Sequence, residues 1–141
     1  MSTSNSPQPQ RATILIVDDD TMMRTLFRVM LTNVNSRILE AGTGRQAIEI
    51  ATAEQPDVIL LDAMLPDLNG FEVCAHLRQS SGYTAGRIVM VTALNTQQAH
   101  DRAIAAGADE FWGKPVSSQA LRSGVLRMLS SNHRALCLAP E

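Results

Sequence analysis

Apolar residues occur along this chain in two alternating kinds of segment, short continuous runs and longer stretches with helical spacing. The short runs are bounded by turn residues, which predicts strands buried on both faces. They cover 13–17, 37–40, 58–61, 87–91 and 110–112. In the longer stretches apolar residues recur every three or four positions, which predicts a helix after each strand. The first helical stretch runs from Met23 to Val34, with Asp20 or Thr21 as its cap, and the second from Ala47 to Ala51, ending before Pro56. The other three cover 71–77, about 96–106 and about 117–130.

Five alternations of strand and helix with short connections predict an α/β fold. The expected architecture is a flavodoxin-like (βα)5 fold, doubly wound, with helices on both faces of a parallel five-stranded sheet. Right-handed crossovers favour the strand order 2-1-3-4-5 at this size. A chain of 141 residues that is 45% hydrophobic predicts a single domain, which we place at residues 12–131. Residues 1–11, rich in Pro, Ser and Gln, are predicted to be disordered, and residues 132–141 to form a tail or the start of a linker.

Composition argues against several classes of protein. The formal net charge is -2 and no basic run occurs, so direct binding to nucleic acid is not expected. The longest apolar runs have about five residues, whereas a membrane-spanning helix needs about 20, so no membrane insertion is expected. Cys74 and Cys137 lie far apart, and we expect Cys74 to be a buried free thiol. The absence of a disulfide framework favours a cytoplasmic location.

Methionines and histidines give little functional signal. The methionines at 22, 23, 30 and 90 are predicted to fill the core rather than to bind a metal. His76 and His100 fall in predicted helices and His133 in the tail, and we expect all three at the surface.

Polar side chains follow four of the predicted strands at the point where each strand ends. Asp18 and Asp19 follow the first strand, Asp62 the third, Thr92 the fourth and Lys114 the fifth. The first and third strands are neighbours in the predicted order, so three carboxylates converge, which is unfavourable without a cation or a proton. Oxygen-only ligands favour a hard cation, and Mg²⁺ is the expected one. A carboxylate nucleophile, a hydroxyl and a lysine around such a cation suit phosphoryl transfer.

Each of these residues alone has an ordinary structural explanation. Adjacent aspartates often cap helices, a threonine after a strand is usually a turn residue, and Lys-Pro is usually a loop. Their joint occurrence at successive strand ends, in one expected spatial cluster, favours a functional site.

Four motifs resemble the receiver domain of two-component response regulators. They are ILIVDDD (14–20), DVILLDAMLPDLNGFEVC (57–74), IVMVTAL (88–94) and GADEFWGKPV (107–116). The resemblance covers about residues 12–131. It implies a phospho-accepting protein whose partner is a sensor histidine kinase or a histidine phosphotransfer protein. It also implies that the chain is no enzyme beyond catalysing its own phosphorylation and dephosphorylation.

The resemblance also assigns residues to the phosphorylation and metal sites. Asp62 resembles the phospho-acceptor. Asp18 and Asp19 resemble the acid pair, with Asp19 the more direct ligand of Mg²⁺ and Asp18 acting largely through water. The implied metal site is completed by Asp62 and the backbone carbonyl of Met64.

The switch residues are implied in the same way. Thr92 resembles the switch hydroxyl, and Phe111 the aromatic switch residue. Lys114 resembles the family's lysine, with a cis bond to Pro115. Phosphorylation is then expected to change the face formed by the fourth helix, fifth strand and fifth helix, which controls a partner or an output domain. A homodimer formed on phosphorylation is a further expectation.

Two apolar residues are predicted to set the lifetime of the phosphoryl group. Met64 lies two positions after Asp62, and Leu94 two after Thr92. Both flank the route of a hydrolytic water and offer it neither a donor nor an acceptor. We therefore expect slow autodephosphorylation.

Two alternative functions stay open at the level of sequence. An aspartyl phosphatase of the haloacid-dehalogenase type requires DxDxT or DxDxV after the first strand, and Met22 stands where Thr or Val is needed. The second alternative is a receiver fragment of a cyclic-di-GMP synthase or phosphodiesterase, which the stretches DAMLPDLNGFEVC and VTAL resemble. Whether the receiver stands alone or belongs to a longer protein is not decided by these residues.

Overall fold

The structure is a computed structural model that describes residues 11–79, 82–83 and 86–130. Strands and helices alternate through this part of the chain. The strands are β1 (Ala12–Val17), β2 (Ser36–Ala41), β3 (Val58–Leu61), β4 (Arg87–Thr92) and β5 (Glu110–Gly113). The helices are α1 (Thr21–Met30), α2 (Gly44–Glu54), α3 (Gly70–Gln79), α4 (Gln97–Ala106) and α5 (Ser118–Ser130). All ten predicted elements are confirmed, with boundaries that differ by a few residues.

The five strands form one parallel sheet in the order β2-β1-β3-β4-β5, which confirms the predicted fold class. The register pairs Val17 at the end of β1 with Leu61 at the end of β3. The amide of Asp62 continues this pairing by donating to the carbonyl of Val17 at 3.0 Å. The residues that follow these two strands, Asp18 and Asp62, therefore emerge side by side at one edge of the sheet.

Helices cover both faces of the sheet and create two separate cores. One core contains residues of α1 and α5, and the other contains residues of α2, α3 and α4. Along β3 the side chains alternate between them: Val58 and Leu60 point into the first, and Ile59 and Leu61 into the second. All four are at most 1% exposed, as the unbroken apolar run predicts.

Side-chain hydrogen bonds cap helices that follow the strand ends and fix the residue at which each of these helices begins. Asp20, rather than Thr21, caps α1, and its carboxylate accepts from the amide of Met22 at 2.9 Å. Thr96 caps α4 in the same manner. Gly107 ends α4 with φ 108°, a left-handed conformation that glycine adopts without a steric penalty.

The prediction that Met22 fills the core is wrong. Its side chain is 78% exposed, and Leu26, an apolar residue within the predicted helical stretch from Met23 to Val34, is 45% exposed. The helical turn directs Phe27 inward, so Met22, Leu26 and Val29 lie on the outer surface of α1. Met90 is fully buried, as predicted.

The remaining expectations concern Cys74, membrane insertion and the two ends of the sequence. Cys74 is a buried free thiol, and burial raises its pKa to about 11. No helix within the described ranges is long and apolar enough to cross a membrane. The predicted disorder of residues 1–11, apart from Arg11, and the tail at 132–141 with Cys137 and His133 lie outside the described residues.

Candidate functional site

Three carboxylates meet at the carboxyl edge of the sheet. Asp18, Asp19 and Asp62 each offer an oxygen, and these oxygens all lie within 4.8 Å of one another. Asp18 and Asp62 are buried, whereas Asp19 is exposed and faces the approach from solvent. A set of carboxylate oxygens with no nitrogen or sulfur ligand fits a hard divalent cation. The cluster predicted from the strand ends is therefore present and can hold a metal ion.

Lys114 connects two of these carboxylates. Its ammonium donates to Asp18 at 2.6 Å and to Asp62 at 3.0 Å. The lysine follows β5, and its amide donates to the carbonyl of Thr92 at 2.9 Å, which ties the loop to the end of β4. The Lys114–Pro115 peptide bond is cis, as the resemblance implied.

Burial and charge act in opposite directions on these groups. Burial raises the pKa of Asp18, because the hydrogen bonds from Lys114 and the Asp20 amide only partly offset the lost hydration. Burial alone would lower the pKa of Lys114, but its hydrogen bonds to Asp18 and Asp62 outweigh that effect and raise the pKa. Lys114 is therefore cationic at neutral pH. One ammonium faces three acids, so the site retains an excess of negative charge for a divalent cation to neutralise.

The ends of β3 and β4 carry the same local hydrogen bond. The carboxylate of Asp62 accepts from the amide of Met64 at 3.1 Å, and the hydroxyl of Thr92 accepts from the amide of Leu94 at 3.2 Å. Thr92 is fully buried. Both loops thus direct a backbone donor back towards the strand end, where an incoming anionic group can accept from it.

Phe111 lies in β5, half-buried beside α4. Its ring meets the ring of His100 edge-on, with the centroids 5.4 Å apart. The sequence predicted His100 at the surface, and it is half exposed, but this aromatic contact was not anticipated. The contact links the proposed switch residue directly to α4.

Met64 and Leu94 flank the entrance to the site. Both are exposed and line a groove of about 450 Å³ that also includes Asp19. Arg102 of α4 lines the same groove, and its guanidinium lies 4.3 Å above the centre of the Phe71 ring. The walls that Met64 and Leu94 contribute to this entrance are apolar, as their positions in the sequence suggested.

Sequence reasoning missed a charged network behind the acid pair. Arg24 of α1 donates to the carbonyl of Asp18 at 2.6 Å and to Glu40 of β2 at 2.9 Å. Arg28 donates to the other oxygen of Glu40 at 2.8 Å. Burial opposes the ionisation of Glu40, but the two arginines outweigh it and hold its pKa below the ordinary value. The sequence signal that could have pointed to this network is Glu40, a carboxylate near the end of β2, the strand next to β1.

A second unpredicted contact anchors the loop after β3. Asp67 accepts from the amides of Gly44 and Arg45 at the start of α2, at 2.7 and 3.0 Å. These backbone donors, that of Arg45 above all, lower the pKa of Asp67 to about 2. The anchor fixes the segment that leads away from Asp62.

The family model of the response regulator receiver domain matches residues 14–126. The chain belongs to this family. It is therefore a receiver of the two-component type, a class of phospho-accepting domains, and the alternative of a haloacid-dehalogenase phosphatase is excluded.

Curated relatives share this region of the receiver. The transcriptional regulatory protein AfsQ1 of Streptomyces coelicolor is 31% identical over 121 residues, which cover 86% of this chain and 52% of AfsQ1. The alkaline phosphatase synthesis transcriptional regulatory protein PhoP of Bacillus subtilis is 35% identical over 116 residues, which cover 82% of this chain and 48% of PhoP. The chain thus spans about half the length of the curated relatives it matches.

Solved structures confirm the fold of the receiver. The chemotaxis protein CheY4 of Vibrio cholerae superposes with a TM-score of 0.78 at 28% identity, covering 84% of this chain and 99% of CheY4. The BeF3-activated N-terminal receiver domain of RstA from Klebsiella pneumoniae gives 0.76 at 29% identity, covering 83% of this chain and 97% of that domain.

Replacing Glu40 with Gln should lower stability in a pH-dependent manner. The pKa of Glu40 is lower in the folded protein than its ordinary 4.5, so its charge stabilises the fold above that pH. We expect the Glu40→Gln variant to lose about 1 kcal/mol of unfolding free energy at neutral pH. The difference from wild type should vanish as the pH falls through the folded-state pKa. Urea denaturation across the acidic range measures this.

The matched control is Glu54→Gln, which removes the solvent-exposed pair between Glu54 and Arg37. Exposed pairs contribute little, so its loss should be smaller at neutral pH. A pH-independent loss in the Glu40→Gln variant would contradict the charge explanation.

Proposed function

We propose that the receiver stores a phosphoryl group on Asp62, taken from a sensor histidine kinase or a histidine phosphotransfer protein with Mg²⁺ as cofactor. The observation that carries the proposal is the setting of Asp62. Its carboxylate lies at a strand end, buried, hydrogen-bonded to Lys114, and within 4.8 Å of two further acids. Asp18, Asp19, Asp62 and the carbonyl of Met64 are the proposed ligands of the metal.

In the proposed reaction a carboxylate oxygen of Asp62 attacks the phosphorus of a phosphohistidine. A P–O bond forms, the P–N bond breaks, and the imidazole leaves with its electron pair. Lys114 neutralises charge on the transferred oxygens, and the amides of Met64 and Leu94 donate to them. A bound Mg²⁺ supplies further neutralisation of that charge. The receiver catalyses only this transfer and the later hydrolysis of its own acyl phosphate.

Phosphorylation adds about -1.5 to -2 charges at this edge of the sheet, as it does in other phosphorylated side chains. In the proposed switch the hydroxyl of Thr92 moves towards the new oxygens, and Phe111 turns into the space that it leaves. Because Phe111 contacts His100, this movement alters the surface formed by α4, β5 and α5. A partner that prefers the altered surface then shifts the equilibrium.

The lengths and names of the relatives support a proposal about the output of the receiver. AfsQ1 and PhoP are transcriptional regulatory proteins about twice as long as the matched region. We propose that the altered surface controls a partner, an attached output domain or a second copy of the receiver. Size-exclusion chromatography with and without beryllofluoride distinguishes dimerisation from the other two outputs. A cyclic-di-GMP enzyme as the output domain stays an untested alternative.

Exposed apolar residues on the outer surface of α1 support the proposal that the phosphodonor is a protein. Met22, Leu26 and Val29 are 78%, 45% and 63% exposed and form one apolar stripe. The stripe begins beside Asp20, directly after the acid pair. Apolar side chains exposed next to a polar site are typical of a protein interface.

An Asp62→Asn variant should take up no label from radiolabelled acetyl phosphate and Mg²⁺, because the amide cannot act as the nucleophile. Gel autoradiography measures the uptake. Asp101→Asn on α4 is the control, since this exposed carboxylate lies outside the acidic cluster, and it should label normally. Equal labelling of Asp62→Asn and wild type would disprove the assignment.

Replacing Leu94 with Gln should shorten the lifetime of the acyl phosphate by about tenfold or more, because a polar side chain can orient the attacking water. Loss of label after removal of the donor gives the rate. Ile104→Gln, another exposed apolar residue, on α4, is the control and should leave the lifetime unchanged. A wild-type half-life of seconds that the Leu94→Gln change does not alter would count against the proposal.

Replacing Leu26 with Ser should slow transfer from a protein donor but not from acetyl phosphate. The substitution removes an exposed apolar contact while leaving the acidic site intact. Truncating an interface contact of this kind typically costs about 1 kcal/mol or more, a rate loss of about fivefold. The control Leu126→Ser changes a residue of similar exposure on α5. Equal slowing with both donors would exclude a role in docking.

A further inference from the structure

Asp19 differs from the other two acids in the way its carboxylate is held. Asp18 accepts from Lys114 and from the amide of Asp20, and Asp62 accepts from Lys114 and the amide of Met64. The carboxylate of Asp19 accepts no hydrogen bond from any residue in the described part of the chain, and it is exposed. Its position therefore depends on the backbone that leads into it.

Arg24 holds that backbone. Its Nη1 donates to the carbonyl of Asp18 at 2.6 Å, which is the carbonyl of the peptide joining Asp18 to Asp19. A peptide unit is planar and rigid, so fixing its carbonyl also fixes the orientation of the amide nitrogen and the Cα atom of Asp19. A short hydrogen bond from a charged donor is among the strong ones.

The guanidinium is itself fixed from three sides. Besides the carbonyl of Asp18, it donates from Nε to Glu40 at the end of β2, at 2.9 Å, and from Nη2 to the hydroxyl of Thr21 at the start of α1, at 3.3 Å. Its side chain is only 17% exposed. The planar fork of an arginine can make these three contacts together, and a lysine ammonium cannot reproduce their geometry.

We propose that Arg24 is a positioning residue of the metal site, which presets the Asp19 carboxylate for Mg²⁺ by clamping the Asp18–Asp19 peptide to α1 and β2. This inference rests on the proposed function, because it assigns Asp19 as a ligand. The guanidinium of Arg24 donates to the Asp18 carbonyl, to Glu40 and to Thr21, and to none of the three acidic side chains of the site in the described part of the chain. Its effect is on the affinity of the metal and not on the chemical step.

Arg28 provides a matched control within the same network. It donates to the second oxygen of Glu40 and, at 3.3 Å, to the carbonyl of Ile38 within β2. It makes the same ion pair as Arg24 but has no contact with the acid pair. A substitution of Arg28 therefore disturbs Glu40, α1 and β2 without releasing the Asp18–Asp19 peptide.

Isothermal titration of the full unphosphorylated chain with MgCl₂ tests the proposal. We expect Arg24→Gln to weaken Mg²⁺ binding by about tenfold, as the loss of residues that orient metal ligands usually does. Arg24→Lys, which retains the charge but on a single donor nitrogen, should recover part of that loss. Arg28→Gln should remain close to wild type. Equal affinities in Arg24→Gln and Arg28→Gln, whether both normal or both weakened, would overturn the proposal.

The dependence of acetyl phosphate labelling on Mg²⁺ separates positioning from a general loss of structure. In Arg24→Gln the Mg²⁺ concentration at half-maximal rate should rise by about tenfold, while the rate at saturating Mg²⁺ stays within about twofold of wild type. Thermal denaturation without Mg²⁺ should show similar stability for Arg24→Gln and Arg28→Gln. A reduced rate at saturating Mg²⁺ with unchanged half-saturation would contradict the proposal.

The outcomes also separate this inference from the proposed function. A wild-type protein that binds Mg²⁺ but takes up no label on Asp62 would refute the phosphoryl transfer, and the titrations would still test Arg24. A wild-type protein that takes up label on Asp62, with Arg24→Gln binding Mg²⁺ normally, would refute the role of Arg24 alone.

Discussion

The confinement of three carboxylates around one ammonium is the constraint on which the rest of the structure depends. Asp18 and Asp62 are brought together by the parallel register of β1 and β3, and both are buried where water can hydrate them poorly. Lys114 bonds to two of the carboxylates, offsets one negative charge, and is itself kept cationic by them. Repulsion within the remaining acidic group is relieved only by a cation or a proton. The same imbalance that makes this edge of the sheet costly therefore makes it receptive to a divalent ion.

The fold could be predicted almost completely from the sequence because each segment has a consistent local pattern. The run of four apolar residues at 58–61 reads as a doubly buried strand, and all four side chains are buried. The carboxyl ends of parallel strands meet at one edge, so the convergence of Asp18, Asp62 and Lys114 followed from their positions after strands. Met22 was placed wrongly because residue type indicates hydrophobicity but not which side of a helix faces the sheet.

The supporting contacts could not be predicted in the same way. Arg24 reaches a backbone carbonyl six residues before it, just after β1, and a carboxylate sixteen residues after it, in β2. Every residue has a carbonyl, so the acceptor leaves no mark in the sequence. The edge contact between Phe111 and His100 likewise depends on the packing of α4 against β5, which periodicity does not define. Sequence reasoning identifies the groups that perform chemistry. The groups that keep them in position are identified only from the folded structure.

The two cores suggest how such a site can have separate input and output sides. Arg24 and the exposed stripe of α1 belong to the helix that packs on one face of the sheet, together with α5. Phe111 packs on the opposite face, in the core shared by α2, α3 and α4. The central strands β1, β3 and β4 are largely buried and hydrogen-bonded along their length, so they resist bending. A change on the α1 side can then reach Phe111 most directly through the strand ends, where the acids, Lys114 and Thr92 lie together. In the proposed reaction, phosphorylation at Asp62 acts at the point that both sides share, so one small covalent change couples a donor on the α1 side of the sheet to Phe111 on the other side.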